Sequence, residues 1–192
     1  MIFSNDWHNG RRYLWNKYVL PYFKIKDNLN YLEIGAYEGN SLIWIFENLL
    51  TGENCHATVL DTFNGSIEHD SQFEKTLYER FLNNTKHLSN NFKIYRDLSF
   101  NSLITFNNAK ITEIYDIIYI DASHIAKDVL SDAILAFPLL KINGLMIFDD
   151  YDLVTEPNNT KLGIDCFLQT YKDYYSVIFI AEQVFIKKIK EI

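Results

Sequence analysis

The sequence has few cysteines, no excess of basic residues and no long apolar segment. Its two cysteines, Cys55 and Cys166, lack the spacing of a metal site, so we expect free thiols in a reducing compartment. The formal net charge of −7 argues against nucleic-acid binding, and we interpret the short clusters Arg11-Arg12 and Lys187-Lys188 as solvated surface. No apolar segment is long enough to span a membrane, and the N-terminus lacks the pattern of a signal peptide. We therefore expect a soluble cytoplasmic protein without a nucleic-acid or membrane partner.

The residues that are present favour one packed α/β domain. The 192 residues are 48% hydrophobic, which is enough for a full core. Short apolar segments alternate with helical patterns, which predicts a Rossmann-like, mostly parallel seven-stranded sheet with helices on both faces. Residues 1–30 are predicted to form a helical flank or lid, and residues 31–192 the core. The predicted strands are Tyr31–Ile34, Ala57–Asp61, Phe92–Tyr95, Asp116–Asp121, Leu145–Phe148, Val177–Ile180 and Val184–Ile189. The last two strands are joined by a connection so short that they must form an antiparallel hairpin.

The chain is organised around a glycine turn, Glu33-Ile34-Gly35-Ala36-Tyr37-Glu38-Gly39-Asn40-Ser41, between the first strand and the first helix. Gly35 can adopt a backbone conformation that other residues avoid, and Gly39 allows the helix to approach the ligand and the strand closely. Asn40 or Ser41 is expected to cap the helix Ser41–Leu50, whose free amides favour an anion. Glu33 suits a cationic or hydroxyl-bearing ligand. The simpler alternative is a turn with no ligand.

Five predicted strands end on or near an acid: Glu33, Asp61, Asp97, Asp121 and the pair Asp149-Asp150. Ligands bind beyond the carboxyl ends of the strands in such sheets, and crowded acids repel one another unless a cation or ligand hydroxyls neutralise them. Asp61 lies about twenty residues beyond the glycine turn, where an acid hydrogen-bonds the ribose of a nucleoside. Alternatively, each acid only ends its strand and faces water.

Asp121, Asp149 and Asp150 would converge on a hard cation if their two strands are neighbours, because adjacent strands lie about 4.8 Å apart. Mg²⁺ and Ca²⁺ prefer oxygen ligands of this kind. His124 follows in the same loop as Asp121 and is a candidate general base, since histidine titrates near neutral pH. A loop histidine bonded to a backbone carbonyl is the alternative.

Together these residues resemble the class I S-adenosylmethionine-dependent methyltransferases, and within them the methyltransferase-24 group. That group includes sugar O-methyltransferases that act on macrolide and aminocoumarin antibiotics. The segments that carry the resemblance are Glu33–Ser41, Val59–Phe63, Tyr119–His124, Pro138–Gly144 and Phe148–Tyr151. The terminal hairpin also matches the last strand of this family and differs from the dehydrogenases.

The resemblance implies a role for each matched position. The turn Gly35–Gly39 would hold the methionine part of S-adenosylmethionine, Asp61 the ribose, and Asp97 and Leu98 the adenine. Asp121 would lie near the sulfonium and the acceptor, and Asp121, Asp149 and Asp150 would bind Mg²⁺ or another divalent cation. With His124 as the candidate base, we predict Asp121 and His124 as the catalytic residues. The complete implied cofactor site is Glu33, Gly35, Ala36, Tyr37, Gly39, Ser41, Asp61, Thr62, Asp97, Leu98 and Asp121.

We therefore predict an S-adenosylmethionine-dependent methyltransferase, directed at an oxygen of a small hydroxylated acceptor such as a sugar and assisted by a divalent cation. The acceptor would contact the N-terminal segment, residues 64–75, the loop Tyr151–Lys161 or a second subunit of a homo-oligomer. One alternative is a nicotinamide-dependent oxidoreductase, although the sequence lacks Gly-x-Gly-x-x-Gly. Another is an inactive binding or assembly module of the same fold, which we would expect to have lost the acids after the fourth and fifth strands.

Overall fold

A computed structural model describes residues 3–5, 7–23, 27–65, 71–88, 92–155 and 159–192, except for the side chains of residues 7 and 71–75. Its helices are α1 (Trp7–Tyr18), α2 (Leu20–Phe23), α3 (Asn40–Asn48), α4 (Ser71–Thr85), α5 (Ser99–Asn108), α6 (Ala126–Ala136) and α7 (Thr160–Thr170). Its strands are β1 (Asn30–Ile34), β2 (His56–Leu60), β3 (Phe92–Tyr95), β4 (Tyr115–Ile120), β5 (Leu140–Phe148), β6 (Tyr175–Ile180) and β7 (Val184–Lys188). Within the described part of the chain, no helix combines the length and apolar character needed to cross a bilayer.

The strands form one seven-stranded sheet in the order β3-β2-β1-β4-β5-β7-β6. Strands β1 to β5 pair in parallel, whereas β7 pairs antiparallel with both β5 and β6. The predicted Rossmann-like sheet with an antiparallel hairpin is therefore confirmed. Strand order reverses between β1 and β4, and the crevice beyond the carboxyl ends of such a pair is where ligands bind in open α/β sheets.

Side chains of alternate residues pack on opposite faces of the sheet. On one face, Tyr31 and Tyr119 join a core cluster with α1 and α3. On the other face, Ile34 and Ile120 pack with the helices α5, α6 and α7. All six residues of β4 are buried, as expected for a central parallel strand covered on both faces.

Helix α1 is anchored on the sheet through Trp15, which is fully buried. The Trp15 ring meets Trp44 and Tyr119 edge to face, with centroids 5.3 Å and 4.9 Å apart. Its indole Nε1 donates a hydrogen bond of 3.1 Å to Gln183 in the β6–β7 turn. His8 packs against Trp15 and belongs to the core, as a residue on the inner face of this helix should. These contacts hold α1 against the sheet.

Two local predictions were wrong. The sequence pattern predicts a helix over Ile125–Leu140, but the helix ends at Ala136 and is followed by a 3₁₀ turn, Phe137–Leu139, because Pro138 cannot supply a helical N–H. The fifth strand then begins at Leu140 and contains Asn143-Gly144, at a register irregularity where Asn143 has φ of +67°. The turn residues therefore mark a bulge inside the strand.

Candidate functional site

A cavity of about 920 Å³ opens beyond the carboxyl ends of the parallel strands. It lies at the β1–β4 reversal, since Gly35 and Asp121 are both on its wall. The predicted site residues that line it are Gly35, Tyr37, Asp61, Thr62, Asp97, Leu98, Asp121, His124, Asp149 and Asp150. The structure therefore brings acids from the ends of β2 to β5 into one space.

Glu33, Ala36, Gly39 and Ser41 are not on the cavity wall. Glu33 is fully buried, and one of its carboxyl oxygens accepts a hydrogen bond from the Ser41 hydroxyl. Burial raises the pKa of Glu33 to about 8, opposed by the Ser41 hydrogen bond. Oε2 of Glu33 makes no hydrogen bond of ordinary geometry with any described residue. Glu33 thus lies beneath the turn and is protonated near neutral pH.

Gly35 has the predicted left-handed conformation, with φ of +87°, and Gly39 has φ of +86° as well. A Cβ on Gly35 would lie 2.1 Å from the carbonyl oxygen of Asp121, so this glycine allows the ends of β1 and β4 to touch. A Cβ on Gly39 would lie 2.7 Å from the Thr85 side chain, so this glycine allows α4 to pack closely against the turn. The expected close approach to the ligand and the strand is not what requires a glycine here.

The predicted helix caps were also wrong. Gly39 is the N-cap of α3, with no side-chain hydrogen bond, because Asn40 and Ser41 already lie within the helix. The Ser41 hydroxyl turns inward to Glu33, and the Asn40 side chain accepts a hydrogen bond of 2.9 Å from Arg12.

Asp61 holds the glycine turn in place from the end of β2. Its Oδ2 accepts hydrogen bonds from the amides of Ala36 at 2.7 Å and Tyr37 at 2.9 Å. Its Oδ1 accepts a third, from the amide of Phe63 at 2.6 Å. Burial raises the pKa of Asp61, and these amides oppose the rise. The same carboxylate lines the cavity, so it supports the turn and faces the ligand space.

The far end of the cavity carries an apolar wall and two further acids. Leu98 and Phe100 line it with exposed fractions of 59% and 49%. Asp97 accepts hydrogen bonds from the Leu98 amide at 2.7 Å and from Asn101 at 3.0 Å. Asp132 on α6 also lines this end, and burial raises its pKa to about 7, opposed by the hydroxyl of Ser99. We did not predict Asp132, because a single acid within an amphipathic helix is typical of a solvated surface.

Asp121, His124 and Asp150 each place one possible ligand atom within 4.8 Å of the others. His124 Nε2 lies 3.1 Å from an Asp150 carboxylate oxygen. This cluster contains His124, whereas the predicted set of ligands contained Asp149 in its place. Asp149 accepts hydrogen bonds from the Asp150 amide at 2.8 Å and from the Tyr119 hydroxyl. One imidazole and two carboxylates suit a divalent cation.

The Tyr119 hydroxyl is one donor between two carboxylates of this corner, so it cannot satisfy both of them when both are ionised. The Tyr119 hydroxyl contacts Asp121 at 2.8 Å and also contacts Asp149, yet it can donate only one proton. Burial raises the pKa of Asp121 well above its usual value, and repulsion from Asp149 and Asp150 raises it further. Burial and the charge of Asp150 raise the pKa of Asp149 as well. The corner therefore requires a bound proton or a cation.

Arg11 is the one lysine or arginine lining the cavity within the described residues, so its interpretation as solvated surface was wrong. Its Nε lies 3.7 Å from Asp149, and its Nη1 lies 3.9 Å from Glu182. Lys188 was also misassigned, since it is 2% exposed and donates to the carbonyl of Leu140 at 2.8 Å. Arg11 lies one helical turn before the buried Trp15, and this spacing is the signal that could have placed it at the sheet.

The predicted acceptor segments lie partly on the cavity wall. Gly65 and Leu153 line it, together with Arg11 from the N-terminal segment. Leu77, just beyond the predicted segment 64–75, lines it as well. Residues 66–70 and 156–158 and the side chains of 71–75 fall outside the described residues, and the acceptor prediction for them stays a prediction.

Comparison with known families decides the class of this domain. Residues 32–151 match the model of Methyltransf_24, a methyltransferase domain. The chain belongs to this family. The matched segment includes the glycine turn, Asp61, Asp121 and the pair Asp149-Asp150, so the family predicted from the motifs is confirmed.

Solved methyltransferases share the fold. A putative O-methyltransferase from Klebsiella pneumoniae has a TM-score of 0.65 and 14% identity over 99% of this chain and 84% of that one. MycE from the mycinamycin biosynthetic pathway, solved with Mg, SAH and mycinamycin VI, has a TM-score of 0.64 and 16% identity over 98% of this chain, which spans only 51% of MycE. CalS11, a TDP-rhamnose 3'-O-methyltransferase from calicheamicin biosynthesis, has a TM-score of 0.60 and 11% identity, covering 95% and 81%. No curated protein matches the sequence.

Proposed function

We propose that this methyltransferase uses S-adenosylmethionine to methylate an oxygen of a small hydroxylated acceptor, such as a sugar, with the help of a divalent cation. The observation that supports this most is the gathering of Asp61, Asp97, Asp121 and Asp150 in one cavity at the strand reversal of a methyltransferase domain. Acids so placed match a ligand that offers hydroxyls and positive charge.

The cofactor would extend across the cavity from the glycine turn to the apolar wall. Gly35 and Tyr37 would hold its methionine end, Asp61 the ribose, and Leu98 the adenine, with Asp97 and Thr62 beside it. Bound S-adenosylmethionine supplies an electrophilic methyl group. The protein would contribute mainly position, since methyl transfer needs an in-line approach of the acceptor oxygen.

Asp121, Asp150 and His124 would hold the cation, and Asp149 is the remaining candidate ligand. A divalent cation at this corner lowers the pKa of a hydroxyl bound to it. If His124 is not a ligand, its imidazole would be the candidate base for the acceptor's proton, and Asp150, 3.1 Å from Nε2, would stabilise the resulting imidazolium. Arg11 lies close enough to Asp149 to balance part of the remaining negative charge.

Two neighbours support a sugar-like acceptor. MycE was solved in complex with mycinamycin VI, and CalS11 is a TDP-rhamnose 3'-O-methyltransferase. For the present chain, a cavity of about 920 Å³ would hold a nucleoside cofactor together with a small acceptor. We further propose that residues 1–192 form one domain and that the protein works in the cytoplasm. Light scattering would test whether the protein forms a homo-oligomer.

Calorimetry with S-adenosylhomocysteine, and with NAD as the comparison ligand, tests the proposed function. We expect saturable binding of S-adenosylhomocysteine and none of NAD. Binding of NAD alone would favour the oxidoreductase alternative, and binding of neither ligand would refute the proposed cofactor site.

A further inference from the structure

Glu38 lies within the glycine turn but is 1% exposed, and it is not on the cavity wall. One carboxylate oxygen accepts a hydrogen bond of 2.8 Å from Arg80 on α4. The other accepts a hydrogen bond of 2.7 Å from the backbone amide of Ser4. The Glu38 carbonyl accepts a third, from Asn84 at 3.1 Å. Glu38 therefore joins the turn to α4 and to the segment that precedes α1.

The neighbouring Tyr37 shares one partner, Ser4, with Glu38. It has φ of +49°, a left-handed conformation that is unfavourable for a residue other than glycine. Its amide donates to Asp61 at 2.9 Å, and its hydroxyl lies 3.0 Å from the Ser4 hydroxyl. Ser4 thus contacts both Glu38 and the side chain of Tyr37, which faces the cavity. The strained part of the turn is held by partners that lie outside it.

A buried ion pair is weak evidence for stabilisation, because desolvating two charges offsets much of their attraction. The pair Arg80–Glu38 is half buried, with 1% of the Glu38 side chain and 39% of the Arg80 side chain exposed. Its partners fix the turn on the side that faces away from the cavity. We interpret the contacts of Glu38 as interactions that fix the shape of the turn.

We propose that Glu38 is a positioning residue that holds the turn Gly35–Gly39 in its cofactor-binding shape and fastens residues 3–5 against it. This inference depends on the proposed function, since it assigns the methionine end of S-adenosylmethionine to that turn. Glu38 does not touch the reacting atoms, so it should act on cofactor affinity and on the mobility of the turn.

The test is Glu38→Gln, because Ser4 and Arg80 donate to different oxygens of Glu38 and a carboxamide replaces one of them with an NH2 group, which cannot accept. Glu47→Gln, an exposed change on α3, is the matched control. We expect Glu38→Gln to bind S-adenosylhomocysteine about tenfold more weakly in calorimetry. The amides of residues 36–39 should also exchange hydrogen faster in the free protein, while Glu47→Gln behaves as the parent chain.

Arg80→Met is the second variant if Glu38→Gln fails to fold, because the Arg80 side chain is partly exposed. It should weaken binding in the same direction by about threefold. Unchanged affinity and unchanged exchange in a folded variant would overturn the inference. Absence of binding to the parent chain would instead overturn the proposed function, and the inference with it.

Discussion

The acids around the glycine turn and the acids beyond β4 and β5 have different hydrogen-bonding partners. At the glycine turn, the carboxylates of Asp61 and Glu38 accept hydrogen bonds from backbone amides and one guanidinium, all supplied by the protein. At the proposed cation site beyond β4 and β5, here called the metal corner, Asp121 and Asp149 share one tyrosine hydroxyl, and Asp150 lies 3.1 Å from His124. The turn is therefore complete without a cation, whereas the corner is not. We interpret the acids of the turn as residues that shape the ligand site, and those of the corner as residues that a bound cation would neutralise.

The largest effect is expected from Asp61→Ala, which removes two hydrogen bonds from amides of the turn and a third from the amide of Phe63. At a net value of about 1 kcal/mol for each bond, we expect a loss of about 3 kcal/mol in the free energy of unfolding. Binding of S-adenosylhomocysteine should fall below detection by calorimetry. Asp152→Ala, an exposed acid, is the control. Full cofactor affinity in Asp61→Ala would remove Asp61 from both roles.

Glu33→Gln tests how a buried acid beneath the turn changes the pH dependence of the free energy of unfolding. Burial raises the Glu33 pKa to about 8 in the folded protein, against 4.5 for an unperturbed glutamate. The folded state therefore holds a proton that the unfolded state has lost between these pH values, and the stability due to Glu33 falls as pH rises. At about 1.4 kcal/mol per pH unit, the loss reaches about 3 kcal/mol by pH 7.

Glu33→Gln should remove this part of the pH dependence, because glutamine mimics the protonated acid. Urea unfolding between pH 5 and pH 8 measures the difference from the parent chain, and the exposed Glu79→Gln serves as control. Parallel pH profiles for Glu33→Gln and the parent chain would show that Glu33 is ionised in the fold.

Cation binding should stabilise the protein through the metal corner. Mn²⁺ or Mg²⁺ at 100 times its dissociation constant should add about 2.7 kcal/mol to the free energy of unfolding. Asp121→Asn and Asp150→Asn should abolish the gain, His124→Ala should reduce it, and Asp149→Asn should reduce it least. Asp97→Asn, at the other end of the cavity, should retain it. A larger loss in Asp149→Asn than in His124→Ala would restore the predicted ligand set, and activity retained in EDTA would refute cation assistance.

Arg11→Met should have the smallest effect. The Arg11 contacts with Asp149 and Glu182 are long, at 3.7 Å and 3.9 Å, and partly exposed. We expect a stability change below about 1 kcal/mol. Cation affinity should rise slightly because a neighbouring positive charge is removed. Isothermal titration with Mn²⁺ measures it, and weaker binding would show that Arg11 orders the corner.

The acids at the strand ends could be predicted because a short apolar strand followed by an acid is a local pattern. The partners of those acids could not. Arg11 meets Asp149, and Tyr13 donates to Glu182, across most of the length of the chain. Glu38 meets Ser4 and Arg80 only in the folded chain. Asn143-Gly144 misled the prediction because turn residues also form bulges within strands.

The most direct test of the account is a crystal structure of the protein with S-adenosylhomocysteine and Mn²⁺. We expect the ligand to cross the β1–β4 reversal, with its methionine end at Gly35–Gly39 and its ribose at Asp61. Anomalous signal from Mn²⁺ should lie between Asp121, His124 and Asp150. A nucleoside bound outside this cavity, or Mn²⁺ bound away from Asp121 and Asp150, would contradict it.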